Sequence, residues 1–393
     1  MIVAALVLVA GFLAVSYVTQ TRGLRMGGTI VVPVLALYTL KNFVALPVFL
    51  VSFGLAYVAL WAAKRYTLVY GRTEVVVSIV AGSMLPLALL FLSGFTDAAD
   101  VFDLHSALFV GSVLPGLAAY NVQQLKPEYR RQDIGYAAGI YVGLLAVGAA
   151  LVDPRLASTL ATHTPLVLFA KTSDVAVVRG AVVSGTLYPV LLSRTLAVAL
   201  LVVAFLGSEW GRSRFGVRAG VVSMGLLAIY ATASKWLVFA FLLELVAVIF
   251  VVGVVHWMTL WYGRVLVGVG SATAVALSVP LAMTLPIVRG LSAVFIAVLV
   301  GTTAYNDHVT APRERRMRIP LMMLVFSPVF LAARVLGEPY GTGLLADLPT
   351  VPALLALTVV AMSACYLLLR HYGIEQPSDE TVFSASVLSG GDR

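Results

Sequence analysis

Two short stretches carry the same polar residues at the same spacing inside an otherwise apolar chain: "YTLVYGRTEV" at 66–75 and "MTLWYGRVLV" at 258–267. Tyr70, Gly71 and Arg72 separate two apolar runs in the first, as Tyr262, Gly263 and Arg264 do in the second. Arginine presents a planar fork of donors that matches a carboxylate or phosphate. Glycine permits a tight reversal, and tyrosine suits the headgroup level of a membrane. The elements therefore read either as two interfacial turns or as two arginines of one anion site.

A second pair is "GLAAYNVQQLKPEYRR" at 116–131 and "GTTAYNDHVTAPRERR" at 301–316. Asn121 and Asn306 are costly in hydrocarbon unless hydrogen-bonded, so each is expected to face another helix or a polar cavity. Gly116 with Ala119, and Gly301 with Ala304, are small residues three apart that suit close helix contact. Glu244 stands in "WLVFAFLLELVAVIF" with no charged neighbour. An intramembrane carboxylate points to a proton relay or a buried ion pair, with Arg289 and Arg334 as sequence-plausible partners.

Other chemistries lack their patterns. The chain has no G-x-x-x-x-G-K-[ST] phosphate loop and no H-E-x-x-H, and its five histidines are scattered. No catalytic residue, metal or cofactor is assigned, and the chain is not read as an enzyme acting alone. Cys365 is the only cysteine, which excludes an intrachain disulfide.

The elements that must position these residues are membrane helices. Of 393 residues, 61% are hydrophobic and 11% charged, far below the roughly 25% charge of a soluble domain. The net charge of +8 fits Lys and Arg gathering in cytoplasmic loops better than nucleic-acid binding. Apolar stretches suggest spans near 2–18, 26–43, 47–63, 75–94, 104–122 and 134–152, then 195–207, 220–234, 236–255, 265–285, 290–304, 319–336 and 351–369. The fold class is all-α: a polytopic helical membrane protein of about 13 (to 15) spans.

The first span reads as a transmembrane helix rather than a signal peptide. The second is short enough to be re-entrant. Crossing is preferred, because it puts Arg22/Arg25, Lys64/Arg65/Arg72 and Lys126/Arg130/Arg131 on one face and Asp97, Asp100 and Asp103 on the other. That basic face is expected to be cytoplasmic, with the N-terminus outside and the C-terminus inside. Residues 153–194 fit two short spans, a re-entrant hairpin or a surface segment.

Sequence comparison within the chain points to a tandem duplication. A shift of 192, from Tyr70 to Tyr262, also carries Arg22 to Arg214, Gly28 to Gly220 and Tyr38 to Tyr230. A shift of 185, from Gly116 to Gly301, carries Tyr120-Asn121 to Tyr305-Asn306 and Arg130-Arg131 to Arg315-Arg316. Matching basic loops make the two units parallel. The expected division is 1–152, a first six-helix unit; 153–194, a connector; 195–337, a second, divergent unit; 338–371, a final span; and 372–393, a disordered polar tail.

"TRGLRMGGTIVVPVLALYTL", "YTLVYGRTEVVVSIVAGSM" and "VGSVLPGLAAYNVQQ" resemble the PgsC/CapC family of poly-γ-glutamate biosynthesis proteins. The likeness rests on the arginine-glycine turn after span one, Pro33, the Y-G-R turn, Val113-Leu114-Pro115-Gly116 and Gln123, in order over positions 20 to about 135. The second unit departs from it, with Gly225 for Pro33 and Val300 before Gly301. The resemblance implies a non-catalytic membrane subunit that anchors a cytoplasmic ATP-dependent amide ligase and helps pass a polyanionic polymer outward. The residues expected near polymer or partner are Arg22, Arg25, Tyr70, Arg72, Asn121, Arg214, Arg218, Tyr262, Arg264 and Asn306. Gly71, Pro115, Gly116, Gly263 and Gly301 are expected to shape turns and contacts. The expected partners are membrane lipid, the ligase and the polymer, without nucleic acid. The alternative is a two-repeat secondary transporter of a small anion, with Glu244 in coupling, and a third option is a purely structural scaffold.

Overall fold

The computed structural model describes residues 1–93, 113–185, 192, 194–215, 221–337, 341–346 and 350–372. Those residues form fifteen α-helices and no strand. The first half contains α1 (Ile2–Arg22), α2 (Val31–Lys41), α3 (Ala45–Tyr66), α4 (Arg72–Ser93), α5 (Leu114–Gln123) and α6 (Pro127–Leu151). Two short helices follow, α7 (Pro154–Leu160) and α8 (Asp174–Arg179). The second half contains α9 (Arg194–Phe215), α10 (Val221–Ala231), α11 (Lys235–Thr259), α12 (Arg264–Thr284), α13 (Gly290–Val309) and α14 (Pro312–Leu336), and α15 (Val351–Tyr372) comes last.

Eight helices among the described residues are long and apolar enough to cross a membrane: α1, α3, α6 and α11 to α15. Their outward faces carry large apolar side chains such as Leu50, Val246, Phe250, Val359 and Leu367. A helix satisfies its own backbone donors and acceptors, which hydrocarbon cannot do. The chain is a multi-pass membrane protein whose outer surface suits lipid. The expected tail and the acidic loop at Asp97, Asp100 and Asp103 lie outside the described residues, as does the first part of the expected span 104–122.

Helices α3, α4 and α5 pack together, and α1, α2 and α6 pack together. The same pairings recur among α11, α12 and α13 and among α9, α10 and α14. Glycines allow the closest crossings. A Cβ on Gly116 of α5 would collide with Ser78 and Ile79 of α4, and one on Gly301 of α13 would collide with Ser271 of α12. The halves meet chiefly where α12 lies along α1, at Gly268 beside Ser16.

The second expected span is an 11-residue helix, α2, only about 16 Å long at 1.5 Å per residue. The chain still runs from one end of the bundle to the other, because residues 23–30 make up the rest without helix. Near the end of α2, Ser173 Oγ donates to Leu40 O at 3.4 Å and Phe43 N donates to Asp174 Oδ2 at 2.8 Å. The Met1 amino group donates to Pro165 O at 3.0 Å. Residues 165–174 thus cover the end of the bundle that carries Met1, and Val167, Leu168 and Phe169 of this segment are buried. Helices α7 and α8, of 7 and 6 residues, are too short to span.

Candidate functional site

The opposite end of the bundle holds the polar residues. Helix α1 stops at Gly23, which takes φ 68, and the chain then turns through Met26, Gly27 and Gly28, all at positive φ. These conformations favour glycine and aim successive backbone amides into one concavity. Asp133, in the second turn of α6 and fully buried, fills it. Its Oδ1 accepts from Arg25 N at 2.7 Å and Met26 N at 2.6 Å, and its Oδ2 accepts from Gly27 N at 3.2 Å.

Asn121 on α5 ties the same loop to the other half. Its Nδ2 donates to Leu117 O at 2.8 Å and to Gly27 O at 3.2 Å. A Cβ on Gly28 would stand 2.9 Å from that nitrogen, so the close approach requires glycine. Its Oδ1 accepts from Nη2 of Arg264 at 2.8 Å. Arg264 opens α12, so the arginine of the second Y-G-R element meets the asparagine of the first A-Y-N element across the seam between halves. Thr29 Oγ1 closes the contact on Arg264 O at 3.5 Å.

The electrostatic neighbours of the Arg264 guanidinium are Arg25, Tyr120, Asp133 and Tyr305. Both tyrosines belong to the A-Y-N elements, one from each half. The carboxylate of Asp133 is engaged by three amides, and within the half-buried Arg264 side chain the Nη1 atom has no hydrogen-bond partner among the described residues.

The structure gathers only part of the expected set. Arg25, Asn121 and Arg264 converge, while Tyr70 and Tyr262 stay exposed at the turns, as does Arg22, which stacks over Tyr136 at 5.9 Å. Asn306 is half-buried at the matching level of α13. Gly71 and Gly263 take φ 63 and 65 in open surroundings, so backbone conformation is what calls for glycine there. Pro115 sits in the first turn of α5. Arg72 and Arg214 lie in α4 and α9 with side chains outside the described residues, and Arg218 is outside them altogether. Glu244 is buried in α11, with Oε2 unpartnered and no ion pair to Arg289 or Arg334 among the described contacts.

Sequence reasoning missed Asp133, whose role depends on a loop contact more than a hundred residues back. It also missed that the shift of 185 puts Arg318 at the corresponding place in the second half. Arg318 is 2% exposed and donates to Asp307 at 2.7 Å and to Thr303 O at 3.4 Å. The neighbouring arginines behave alike in both halves. Arg130 donates through Nε to Leu125 O at 3.1 Å and through Nη2 to Gln123 O at 3.2 Å. Arg315 makes the equivalent bonds to Thr310 O at 3.0 Å and His308 O at 3.3 Å. A concavity of about 450 Å³ between α9, α14 and α15 is walled by side chains such as Trp210, Leu324, Met362 and Tyr366 and has no charged residue in its lining.

Residues 10–131 match the family model for capsule biosynthesis CapC. The likeness drawn from the sequence is borne out on that segment. The CapC segment includes the loop after α1, the first Y-G-R turn and Asn121, and stops just short of Asp133. No match is found among curated proteins or among solved structures. The chain is thus a multi-pass membrane protein with a CapC-like segment over residues 10–131, under a third of its length. Arg264 lies beyond the CapC segment, so the seam joins that segment to the rest of the chain.

Proposed function

We propose that this chain is the integral-membrane, non-catalytic subunit of a poly-γ-glutamate synthase and export complex. It anchors a cytoplasmic ATP-dependent amide ligase and aids passage of the polymer across the membrane. The observation that carries this reading is the Arg264–Asn121 seam, where an asparagine and a loop of the CapC-like segment meet a half-buried arginine from the other half of the same chain. The seam end, rich in arginine, faces the cytoplasm in this reading. The end carrying Met1 faces outward, and the last helix leaves the C-terminus inside.

The second half is a diverged copy of the first. Three observations support this: the recurring helix pairings, the two glycine crossings at Gly116 and Gly301, and the shared bonding of Arg130 and Arg315. Such duplication places two related helix groups about an axis along the membrane normal, with the polymer path at their junction.

The test is genetic and biochemical. Deleting this chain alone should abolish surface poly-γ-glutamate, and the chain should co-purify with an ATP-dependent ligase encoded beside it. Surface polymer that persists after deletion would sink the proposal.

A further inference from the structure

The groove between α9, α14 and α15, about 450 Å³ with no charged residue in its lining, has a buried floor and exposed rims. Ala204, Val325 and Val329 are buried, whereas Val203, Trp210 and Tyr366 are exposed. The groove therefore opens sideways, toward the bilayer around these helices. One end is plugged. Leu321 of α14 lies over Gly211 of α9, where a Cβ would stand 2.6 Å from its Cδ1. The same leucine packs with Met317 and with the fully buried Leu369 of α15. Arg370 follows Leu369 and is exposed, with no ion pair among the described residues. Met362, Tyr366 and Arg370 recur every four residues, so the face of α15 that lines the groove ends on a cation. Arg370 stands about 6 Å along the helix axis beyond Tyr366. Trp210 and Tyr366 sit toward the plugged end, and such residues collect where hydrocarbon meets headgroups.

We propose that this groove seats one acyl chain of an anionic phospholipid whose phosphate meets Arg370. Size decides between a chain and a helix as occupant. From Val203 to Trp210 the groove follows α9 for about 10 Å, at 1.5 Å per residue. Its volume over that length gives a cross-section of about 40 Å², roughly half that of a helix about 10–12 Å across. A hydrocarbon chain fits such a slot and a neighbouring helix does not. Charge decides the headgroup. The lining gives a zwitterionic and an anionic lipid the same apolar contacts, so the preference for negative charge comes from Arg370, which can extend its apolar stem along the groove and hold its guanidinium at the phosphate level. The inference is independent of the synthase reading and places a lipid site in the second half, beyond the CapC segment.

Trp210 reports the chain. The purified full-length protein is placed in phosphatidylcholine vesicles in which one lipid in ten has brominated chains, either as phosphatidylglycerol or as phosphatidylcholine. Subtracting the emission of Trp210→Phe isolates this tryptophan from the others. Quenching should show brominated phosphatidylglycerol enriched at Trp210 about fivefold over brominated phosphatidylcholine. A Cβ on Gly207, which lines the groove, would have nothing within 4 Å. Gly207→Phe therefore fills the slot and should remove the enrichment, and Gly207→Ala should keep it. Arg370→Gln should remove it as well, while Arg370→Lys retains most of it. Should Gly207→Phe lower the unfolding temperature in phosphatidylcholine alone, Arg370→Gln, an exposed change, carries the test. Equal quenching by the two lipids in the wild type overturns the site. Enrichment that survives Arg370→Gln, or survives a stably folded Gly207→Phe, puts the anionic lipid elsewhere and overturns it too. In native membranes, benzoylphenylalanine at position 207 should capture phospholipid on illumination. Capture of a polypeptide there, whether a second copy or another membrane protein, would make the groove a protein interface and overturn the assignment. Surface polymer is not read in any arm, so failure here leaves the synthase reading standing.

Discussion

Arg264 and Asn121 lie 143 positions apart in the chain, and their side chains meet at 2.8 Å. The bond links the start of α12 to the end of α5 and, through Asn121, to the loop after α1. Asn121→Ala removes the acceptor and leaves the guanidinium with still fewer partners. We expect a loss of about 1–3 kcal/mol for the single change. Arg264→Ala should destabilise similarly, and the double variant should fall short of the sum by about 0.5–3 kcal/mol. Chemical denaturation of the four proteins in one detergent measures the coupling. Strict additivity would show that the contact contributes nothing.

Asp133 holds the loop after α1. Asp133→Ala leaves the buried amides of Met26 and Gly27 and the half-buried amide of Arg25 without this acceptor, a buried group costing about 1–3 kcal/mol when unsatisfied. Asp133→Asn keeps one accepting oxygen and should lose less. Hydrogen exchange should rise at Arg25, Met26 and Gly27 in both variants, more in the alanine form. Exchange unchanged at those three amides would refute the role assigned to the carboxylate.

The helices are largely legible in the sequence because apolar runs bounded by Arg, Gly and Pro leave little choice in hydrocarbon. Both Pro127 and Pro312 start 25-residue helices, as the aligned basic loops suggest. The site is only half legible. Asn121 and Arg264 stand out as polar residues repeated in register, but pattern alone cannot say that they bond to one another across halves. Asp133 looks like one more charge in a basic loop until the backbone folds onto it. The glycines show the same limit: Gly71 and Gly116 read alike, yet one serves backbone conformation and the other close packing.

That difference is testable. Gly71→Asn and Gly263→Asn should be tolerated, since asparagine visits the left-handed region and the turns are open, whereas alanine there should cost about 1–2 kcal/mol. Gly116→Ala and Gly301→Ala should each cost about 1–3 kcal/mol by overpacking a helix crossing, and asparagine should be worse still. Thermal unfolding of the eight variants sorts the two mechanisms. Comparable losses for Gly71→Asn and Gly116→Asn would erase the distinction.

Glu244 separates the synthase reading from the transporter alternative. Its side chain is 2% exposed, with Oε2 unpartnered. The buried faces of α12 and α13, which pack against α11, carry no charged residue. A buried polar group left unsatisfied costs about 1–3 kcal/mol, which a well-packed apolar replacement removes. Glu244→Leu should therefore raise the unfolding temperature, and Glu244→Gln should change it less. If the chain only anchors a ligase and guides polymer, surface poly-γ-glutamate should stay near the wild-type level in both variants. A stabilised Glu244→Leu protein, present at normal abundance but unable to support surface polymer, would show that the carboxyl acts in transport and bring the alternative forward.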